Sequence, residues 1–228
     1  SAYHHGEMSL NSTITNMAQD FVGSNNINLL DPIGQFGSRL SGGKDSAQPR
    51  YIHTKLMDIT KKIFNQNDFK LLDYKDDDGL LVEPVYYIPI IPMILVNGST
   101  GIGTGWSTEI PCFNPKDIIA NILNIINGKE YIELIPYYRH FTGTIEKIDN
   151  NMFKSTGIYH FKKDDILVIE ELPIGVWTDK YKEYLESITI DSKNDSKKQF
   201  IRYYNSYCSD KKVHFEIYLS KDKKMDKI

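Results

Sequence analysis

Residues 114–128, with the sequence NPKDIIANILNIING, mark the point at which the pattern of the chain changes. Asn114 is a typical N-cap residue, Pro115 suits the first helical position, and Asp117 favours the positive end of a helix dipole. Gly128 is typical of a helix end. The segment therefore predicts an amphipathic helix, and we expect its buried side to consist of isoleucines: Ile118, Ile119, Ile122, Ile125 and Ile126.

After this helix the spacing of apolar residues shortens from the helical period to alternation, which is typical of strands. In the last segment of this kind Val213, Phe215, Ile217 and Leu219 alternate with polar residues. A helix is predicted from Thr178 to Ile188. The second part of the chain is therefore expected to combine this helix with four strands, at 142–148, 156–161, 165–171 and 212–219.

The part of the chain before residue 90 is expected to be mainly helical. Apolar residues recur at helical spacing over Met8–Val22, and again from Tyr51 to Ile63, which predicts two amphipathic helices. The long glycine-rich loop between them is expected to be packed, and so functional, because Phe36 and Leu40 can anchor it. Together the two parts predict an α+β fold, with the change between residues 90 and 114.

Composition excludes several classes of protein. The 228 residues include 27 Lys and Arg and 30 Asp and Glu, for a formal net charge of −3. A uniformly basic nucleic-acid coat is therefore excluded, and any site for a polyanion must be local. The longest apolar run, Tyr86–Val96, contains two prolines and is far shorter than the ~20 residues of a membrane span. Two cysteines, Cys112 and Cys208, cannot form a disulfide framework.

The dipeptide Arg50-Tyr51 follows the glycine-rich loop. A tyrosine hydroxyl is a weak nucleophile unless a neighbour assists its deprotonation or stabilises the developing charge. An adjacent guanidinium is a permanent, fork-shaped donor to phosphate oxygens. The pair is compatible with attack on a phosphodiester, although an Arg-Tyr dipeptide in a chain with 15 tyrosines is more often packing and surface charge.

The residues His4-His5-Gly6-Glu7 have three interpretations. They are compatible with an expression-tag remnant, with part of a metal site, or with imidazoles that donate to a phosphate or a leaving oxygen. A zinc site needs two further Cys or His ligands at motif spacing, and none is near in sequence. The residues alone leave the choice open.

The glycines Gly101, Gly103 and Gly105 alternate, which does not match the GxGxxG dinucleotide fingerprint. They predict a loop in which the backbone comes close to another group. Ile102 between them is either an ordinary anchor in the core or a wedge between base pairs. The acidic run Asp76-Asp77-Asp78 beside Gly79 is expected to be a solvated turn rather than a magnesium site.

The order of several motifs along the chain is more specific than any one of them. In turn they are YHHGE at 3–7, MAQDFVGSNN at 17–26, GQFG at 34–37, GGKD at 42–45, PRYI at 49–52, YIPI at 87–90, GIGTGWST at 101–108 and ELPIGVWT at 171–178. This series resembles the breakage-reunion region of eukaryotic-type DNA topoisomerase II. The gyrase-like branch of bacteria fits less well, since it has His-Pro-His-Gly where this chain has His-His-Gly-Glu.

The resemblance implies roles for individual residues. Tyr51 would be the nucleophile that forms a 5′-phosphotyrosyl link, Arg50 would stabilise the transition state at the scissile phosphate, and His5 would assist there. Ile102 would be the wedge that bends the DNA. Further DNA contacts are implied for Tyr3, His4, Lys44 and Trp177, although Trp177 taken alone favours a core position.

The resemblance also implies an architecture: the end of a winged-helix domain over residues 1–95, followed by a tower domain over 96–228. Mg²⁺ and ATP would serve the full-length enzyme from domains outside this chain, with no metal site in the fragment. The implied partners are double-stranded DNA and a second copy in a homodimer, with no membrane. The implied location is the nucleus, or alternatively a viral factory or an organelle. A catalytically idle DNA-binding and DNA-bending module of the same fold is the alternative function.

Overall fold

The computed structural model describes residues 3–150, 152–189 and 200–220, and the chain divides into two compact units. The first unit runs to Asp20 and then takes Ser24–Phe36 and Ser46–Arg139. The second takes Phe21–Gly23, Gly37–Asp45 and the described residues from His140 onward. The first unit therefore continues well past residue 95, and the winged-helix and tower assignment of 1–95 and 96–228 stays a prediction.

The first unit contains four helices: α1 (Glu7–Ala18), α2 (Asp58–Ile63), α3 (Met93–Val96) and α4 (Pro115–Ile126). The helix predicted from Met8 is confirmed, but it ends at Ala18, because Gln19 is already extended with φ −59° and ψ 135°. The start of α4 is also confirmed, since the Asn114 side chain accepts a hydrogen bond from the Lys116 amide at 3.0 Å.

The helix predicted from Tyr51 is wrong over its first half. Backbone pairing explains the error: Ile33 and His53 exchange two hydrogen bonds, of 3.2 and 3.0 Å. Farther along, the Met57 amide donates to the Leu29 carbonyl at 3.1 Å. Residues 52–57 are therefore extended, and the helix is limited to α2. Pairing with a distant segment outweighs the local spacing of apolar side chains.

Two antiparallel hairpins complete the regular structure of the first unit: β1 (Tyr74–Asp77) with β2 (Leu80–Pro84), and β3 (Ser99–Gly103) with β4 (Trp106–Ile110). The solvated turn predicted at Asp76–Asp78 is confirmed. It joins β1 to β2, and the Asp76 carboxylate accepts a hydrogen bond from the Gly79 amide at 2.8 Å. The second hairpin, β3–β4, replaces the loop expected at the glycine cluster.

The core of the first unit lies between α3 and α4, around Ile91, Val96 and Ile118. The buried Asn26 ties this core together, because its amide lies within 3.1 Å of the carbonyls of Val96, Phe113 and Tyr137. Its own oxygen accepts from the Arg139 amide at 2.8 Å. A buried amide with all its groups bonded fixes the relative positions of the segments that it joins.

The buried side predicted for α4 is only partly confirmed. Ile118 is 2% exposed and Ile122 is half-buried, but Ile119, Ile125 and Ile126 are exposed. The core beneath α4 is narrow, so it covers one stripe of the helix and not all of its isoleucines.

The second unit is built on a four-stranded antiparallel sheet in the order β7-β8-β10-β9, together with the hairpin β5–β6 and helix α5. Val213, Phe215 and Ile217 are almost fully buried in its core, as their alternation predicts. Strands β6 and β9 were not predicted from the sequence. The bounds are β5 (Thr144–Asp149), β6 (Met152–Thr156), β7 (Ile158–Lys163), β8 (Ile166–Glu171), α5 (Thr178–Ser187), β9 (Ile201–Ser206) and β10 (Phe215–Leu219).

These elements confirm the α+β class. Among the described residues, no helix has both the length and the apolar character needed to cross a membrane.

Candidate nucleic-acid interface and active site

Arg50 and Tyr51 lie on a short 3₁₀ turn, Pro49–Tyr51. Pro49 favours this turn because its ring fixes φ at the first position. The Tyr51 amide donates to the Gln48 carbonyl at 2.9 Å, which closes the turn. The Tyr51 side chain is 67% exposed, so its hydroxyl is accessible to a substrate from solution.

The two functional side chains of this turn are in contact. The guanidinium carbon of Arg50 lies 5.0 Å from the centroid of the Tyr51 ring, within the range of a cation–π interaction. The contact holds a permanent positive charge next to the phenol. Such a charge stabilises a phenolate and any anion that comes close to it.

Neighbouring backbone holds the turn in place on both sides. Before the turn, the Ala47 amide donates to the Gln35 carbonyl at 2.9 Å. After it, the side chain of Ile52 packs on Gly34, where a Cβ would come within 2.9 Å of an Ile52 methyl group. The Thr54 hydroxyl donates to the Asp31 carbonyl at 2.9 Å. Tyr51 is therefore exposed but anchored to the packed loop at its flanks.

A cavity of about 190 Å³ adjoins the turn. It is enclosed by α1, by Phe36 and by the residues on either side of Arg50 and Tyr51. Its lining residues are Asn11, Ile14, Thr15, Phe36, Pro49, Ile52, His53 and Thr54.

The segment before α1 contains the other candidate residues of the first unit. His4 and His5 are exposed. The ring of His5 lies edge-on to that of Tyr3, with centroids 5.4 Å apart, and His4 Nε2 lies 3.9 Å from an Asp77 carboxylate oxygen. The structure thus brings Tyr3 and His5 together, whereas His4 faces the acidic turn between β1 and β2.

Ile102 lies near the tip of the β3–β4 hairpin and is 91% exposed. The interpretation of Ile102 as a core anchor is therefore wrong. The sequence analysis missed Trp106, which is 84% exposed and pairs with Gly103 across the hairpin. Because Ile102 pairs with Ser107, the two large side chains lie on opposite faces of the ribbon. A tryptophan beside alternating glycines is the signal that could have identified it.

The glycines of this hairpin have no packing role within the described chain. A Cβ added at Gly101 or Gly105 would meet no atom within 4 Å, and one at Gly103 would be in ordinary contact at 3.9 Å. Only Gly105 has a positive φ, of 81°, in the turn. The fold therefore explains Gly105, while Gly101 and Gly103 leave an open backbone surface that a partner can approach closely.

Lys44 and Trp177 belong to the second unit. Lys44 is exposed and lies on the loop Gly37–Asp45. Trp177 is half-buried: its indole packs on the backbone of Gly42, where an added Cβ would overlap the ring, and edge-on against Phe21 with ring centroids 5.9 Å apart.

The loop Gly37–Asp45 is closed by its own carboxylate. Asp45 accepts hydrogen bonds from the Ser38 amide at 2.9 Å, the Ser38 hydroxyl at 2.5 Å and the Ser41 hydroxyl at 2.8 Å. Partial burial disfavours the charged carboxylate, but these hydrogen bonds outweigh that cost and lower the pKa of Asp45. The carboxylate is thereby directed into the loop.

A buried ion pair, which the sequence analysis missed, supports the same loop. Arg39 Nη2 lies 2.6 Å from Glu171 Oε1, and both side chains are about 5% exposed or less. The other oxygen of Glu171 accepts from the Thr142 hydroxyl at 3.0 Å. Because breaking one partner of a buried pair leaves an uncompensated charge, this pair fixes the loop to β8.

None of the described residues forms a group of three or more His, Cys, Asp or Glu able to hold a metal ion.

Comparison with known proteins identifies the family. The family model for the A-type chain of DNA gyrase/topoisomerase IV matches residues 1–228. The chain is 56% identical over 189 residues to DNA topoisomerase 2 of Acanthamoeba polyphaga mimivirus and 50% identical over 226 residues to that of Arabidopsis thaliana. These alignments cover 82% and 97% of the chain and 15% of each relative.

A solved structure, that of the Plasmodium falciparum topoisomerase II DNA-binding, cleavage and re-ligation domain, matches with a TM-score of 0.92 and 50% identity. The match covers 96% of this chain and 30% of that one. The chain thus spans about 15% of the length of the curated relatives. The resemblance to eukaryotic-type DNA topoisomerase II is confirmed, and the chain belongs to the DNA gyrase/topoisomerase IV family of DNA-cleaving chains.

Proposed function

We propose that this chain is the DNA-cleaving part of an ATP-dependent type II DNA topoisomerase, which cuts and reseals double-stranded DNA to pass another duplex. The observation that carries the proposal is the exposed 3₁₀ turn at Arg50-Tyr51, with a guanidinium 5.0 Å from the phenol ring. It occurs in a chain that belongs to a topoisomerase family.

In the proposed reaction the Tyr51 hydroxyl oxygen attacks a phosphorus atom of the DNA backbone. The new bond joins the phenol oxygen to phosphorus, and the bond from phosphorus to the 3′ oxygen breaks. The phenolic proton passes to water, and the leaving 3′ oxygen gains a proton. One phosphate ester bond forms as one breaks, so resealing is the reverse step and needs no further energy source. Arg50 donates to the phosphate oxygens, on which negative charge increases in the transition state.

His5 is proposed to assist at the same phosphate. It is exposed, and its ring is held edge-on by Tyr3 at 5.4 Å. A neutral imidazole can donate a hydrogen bond to a phosphate oxygen, and a protonated one can supply the proton to the 3′ oxygen. Tyr3, His4, Lys44 and Trp177 complete the proposed set of residues that bind or support binding of DNA.

Ile102 is proposed as the wedge that bends the cleaved duplex. Its side chain is 91% exposed at a hairpin tip, where water solvates an apolar group that gains by insertion between bases. The uncovered backbone at Gly101 and Gly103 lets DNA approach the ribbon without side chains in between. Both features are costly or idle in an isolated protein and useful against a groove.

The complete enzyme is proposed to use Mg²⁺ and ATP through parts outside this chain, and the described residues contain no group of carboxylates suited to Mg²⁺. Tyr51, Arg50 and His5 alone account for the steps assigned to this chain. A homodimer is proposed because one tyrosine cuts one strand and a duplex has two. We propose the nucleus as its location, with a viral factory or an organelle as the alternatives.

The decisive variant pair is Tyr51→Phe and Tyr86→Phe in the full-length protein that contains this chain. Tyr86 is a matched control, since it is 60% exposed and its ring is of the same type. Tyr51→Phe is expected to reduce DNA cleavage and strand passage by at least about 10³-fold, because no nucleophile remains, while duplex binding stays unchanged. Tyr86→Phe is expected to leave both intact.

Cleavage by the Tyr51→Phe variant would contradict the proposal. Strand passage that is absent from the unsubstituted protein, with normal DNA binding and bending, would favour the idle DNA-bending module instead. The 228-residue chain alone is expected neither to cleave DNA nor to hydrolyse ATP. Magnesium-dependent cleavage by that purified chain would count against the assignment of the metal site to other domains.

A further inference from the structure

We infer that Trp177 is a positioning residue, which acts on DNA binding through the loop Gly37–Asp45 and Lys44 rather than by its own contact with DNA. The inference rests on the proposed function, and it changes the role that the family resemblance implies for this tryptophan. It is carried by the packing of the indole within the second unit.

The indole is covered on several sides by the chain itself. An added Cβ at Gly42 would overlap ring atom Cε2 and lie 2.5 Å from Nε1. One at Gly23 would lie 3.3 Å from Cη2 at the far edge of the ring, and Phe21 packs edge-on at 5.9 Å. The glycines make room for the ring, so the ring fills a place in the protein instead of facing a ligand.

The start of α5, where Trp177 is the N-cap residue, is bonded to the same loop. The Asp179 amide donates to the Leu40 carbonyl at 2.9 Å, and the Thr178 amide donates to the Arg39 carbonyl at 3.4 Å. Backbone bonds and indole packing thus hold one loop from two directions. Movement of the indole would therefore be transmitted to Gly42 and the residues after it.

Lys44 follows two residues after the contact with Trp177. Within the described ranges Lys44 takes part in no ion pair, and it is exposed. Its neighbour Asp45 is engaged by Ser38 and Ser41, so that carboxylate is directed away from the ammonium group. The loop therefore presents one lysine, with its charge available, on a backbone whose shape Trp177 fixes. A DNA backbone phosphate is the ligand that fits such a lysine.

The test is a comparison of DNA binding by Lys44→Ala, Trp177→Leu and the double variant, using the 228-residue chain and a duplex of about 30 base pairs over a range of salt concentrations. Lys44→Ala is expected to weaken binding about fivefold and to lower the slope of log affinity against log salt by about 0.9, the effect of one phosphate contact. A positioning role predicts the same two changes in Trp177→Leu, and no further loss in the double variant.

Two further variants distinguish positioning from general structural damage. Trp177→Phe keeps an aromatic ring against Gly42 and is expected to restore the salt slope. Gly42→Ala keeps the tryptophan but displaces it, and is expected to lower the slope as Lys44→Ala does. It serves in place of Trp177→Leu if circular dichroism shows that the leucine variant is unfolded.

Losses that multiply in the double variant would overturn the inference, since they would mean that Trp177 contacts DNA independently. An unchanged salt slope in Gly42→Ala would overturn it as well. If the unsubstituted chain does not bind the duplex at all, the proposed function fails first and the inference falls with it.

Discussion

Two glycine-rich segments of this chain use glycine in opposite ways. In the loop Gly37–Asp45, a Cβ on Gly37 would lie 2.6 Å from the backbone of Gly43, and one on Gly42 would enter the Trp177 ring. In the β3–β4 hairpin, a Cβ on Gly101 would meet nothing. The first segment needs glycine for packing inside the protein, whereas the second has no such need.

The difference separates support from contact. The loop is internally bonded through Asp45, Arg39 and Trp177, and it presents a single lysine. The hairpin exposes two large apolar side chains, Ile102 and Trp106, on a backbone that nothing else in the described chain covers. A surface of this second kind is typical of a site that a partner completes. We therefore expect substitutions in the loop to change stability and substitutions in the hairpin to change DNA binding.

The largest effect is expected from alanine at the loop glycines. Gly37→Ala places a methyl group against the Gly43 backbone at a φ of 101°, so it should lower the free energy of unfolding by about 3 kcal/mol. Gly101→Ala is the matched control and should change stability by less than about 0.5 kcal/mol. Denaturant unfolding of both variants measures this. Equal losses would remove the distinction between the two segments.

A second, intermediate effect is expected at the hairpin tip. Ile102→Ala should leave stability unchanged, because the side chain is already exposed, and should reduce DNA bending by about half or more. Fluorescence transfer between the ends of a labelled duplex measures the bend. Ile126→Ala is the control, since Ile126 is 73% exposed at the end of α4. Equal bending by the Ile102 variant and the unsubstituted chain would refute the wedge.

The smallest effect is expected from the carboxylate that closes the loop. The pKa of Asp45 is lowered below its ordinary value of 3.8, so its stabilising effect is present above that pH and is lost as the pH falls through the folded-state pKa. Asp45→Asn should cost about 1 kcal/mol at about pH 7, and the difference should shrink below about pH 4. Thermal unfolding of both proteins between about pH 3 and about pH 7 measures it. A constant difference would mean that the charge is not what closes the loop.

How far the sequence predicted the structure depended on whether the cause was local. Helix α4 was predicted with its cap and its end, because Asn114, Pro115 and Gly128 act within a few residues. The extended segment after Tyr51 was not, since its pairing partners lie about twenty residues earlier in the chain. Strand β9 was missed for a similar reason: it is defined by pairing with β10, and its own apolar pattern is weak.

The candidate site divides in the same way. The resemblance supplied Arg50, Tyr51 and His5, and the structure adds the 3₁₀ turn that presents the first two. Spacing could not reveal the buried pair Arg39–Glu171, whose members are 132 positions apart. The exposure of Trp106 depends on hairpin pairing, which no local pattern specified.

The measurement that tests the central claim most directly locates the covalent link. The full-length protein containing this chain would react with supercoiled DNA and Mg²⁺, denaturant would trap the complex, and mass spectrometry would identify the peptide that carries a nucleotide. The account predicts a nucleotide on Tyr51, joined through the 5′ phosphate. A nucleotide on another residue, or DNA that is bound with no covalent adduct, would contradict it.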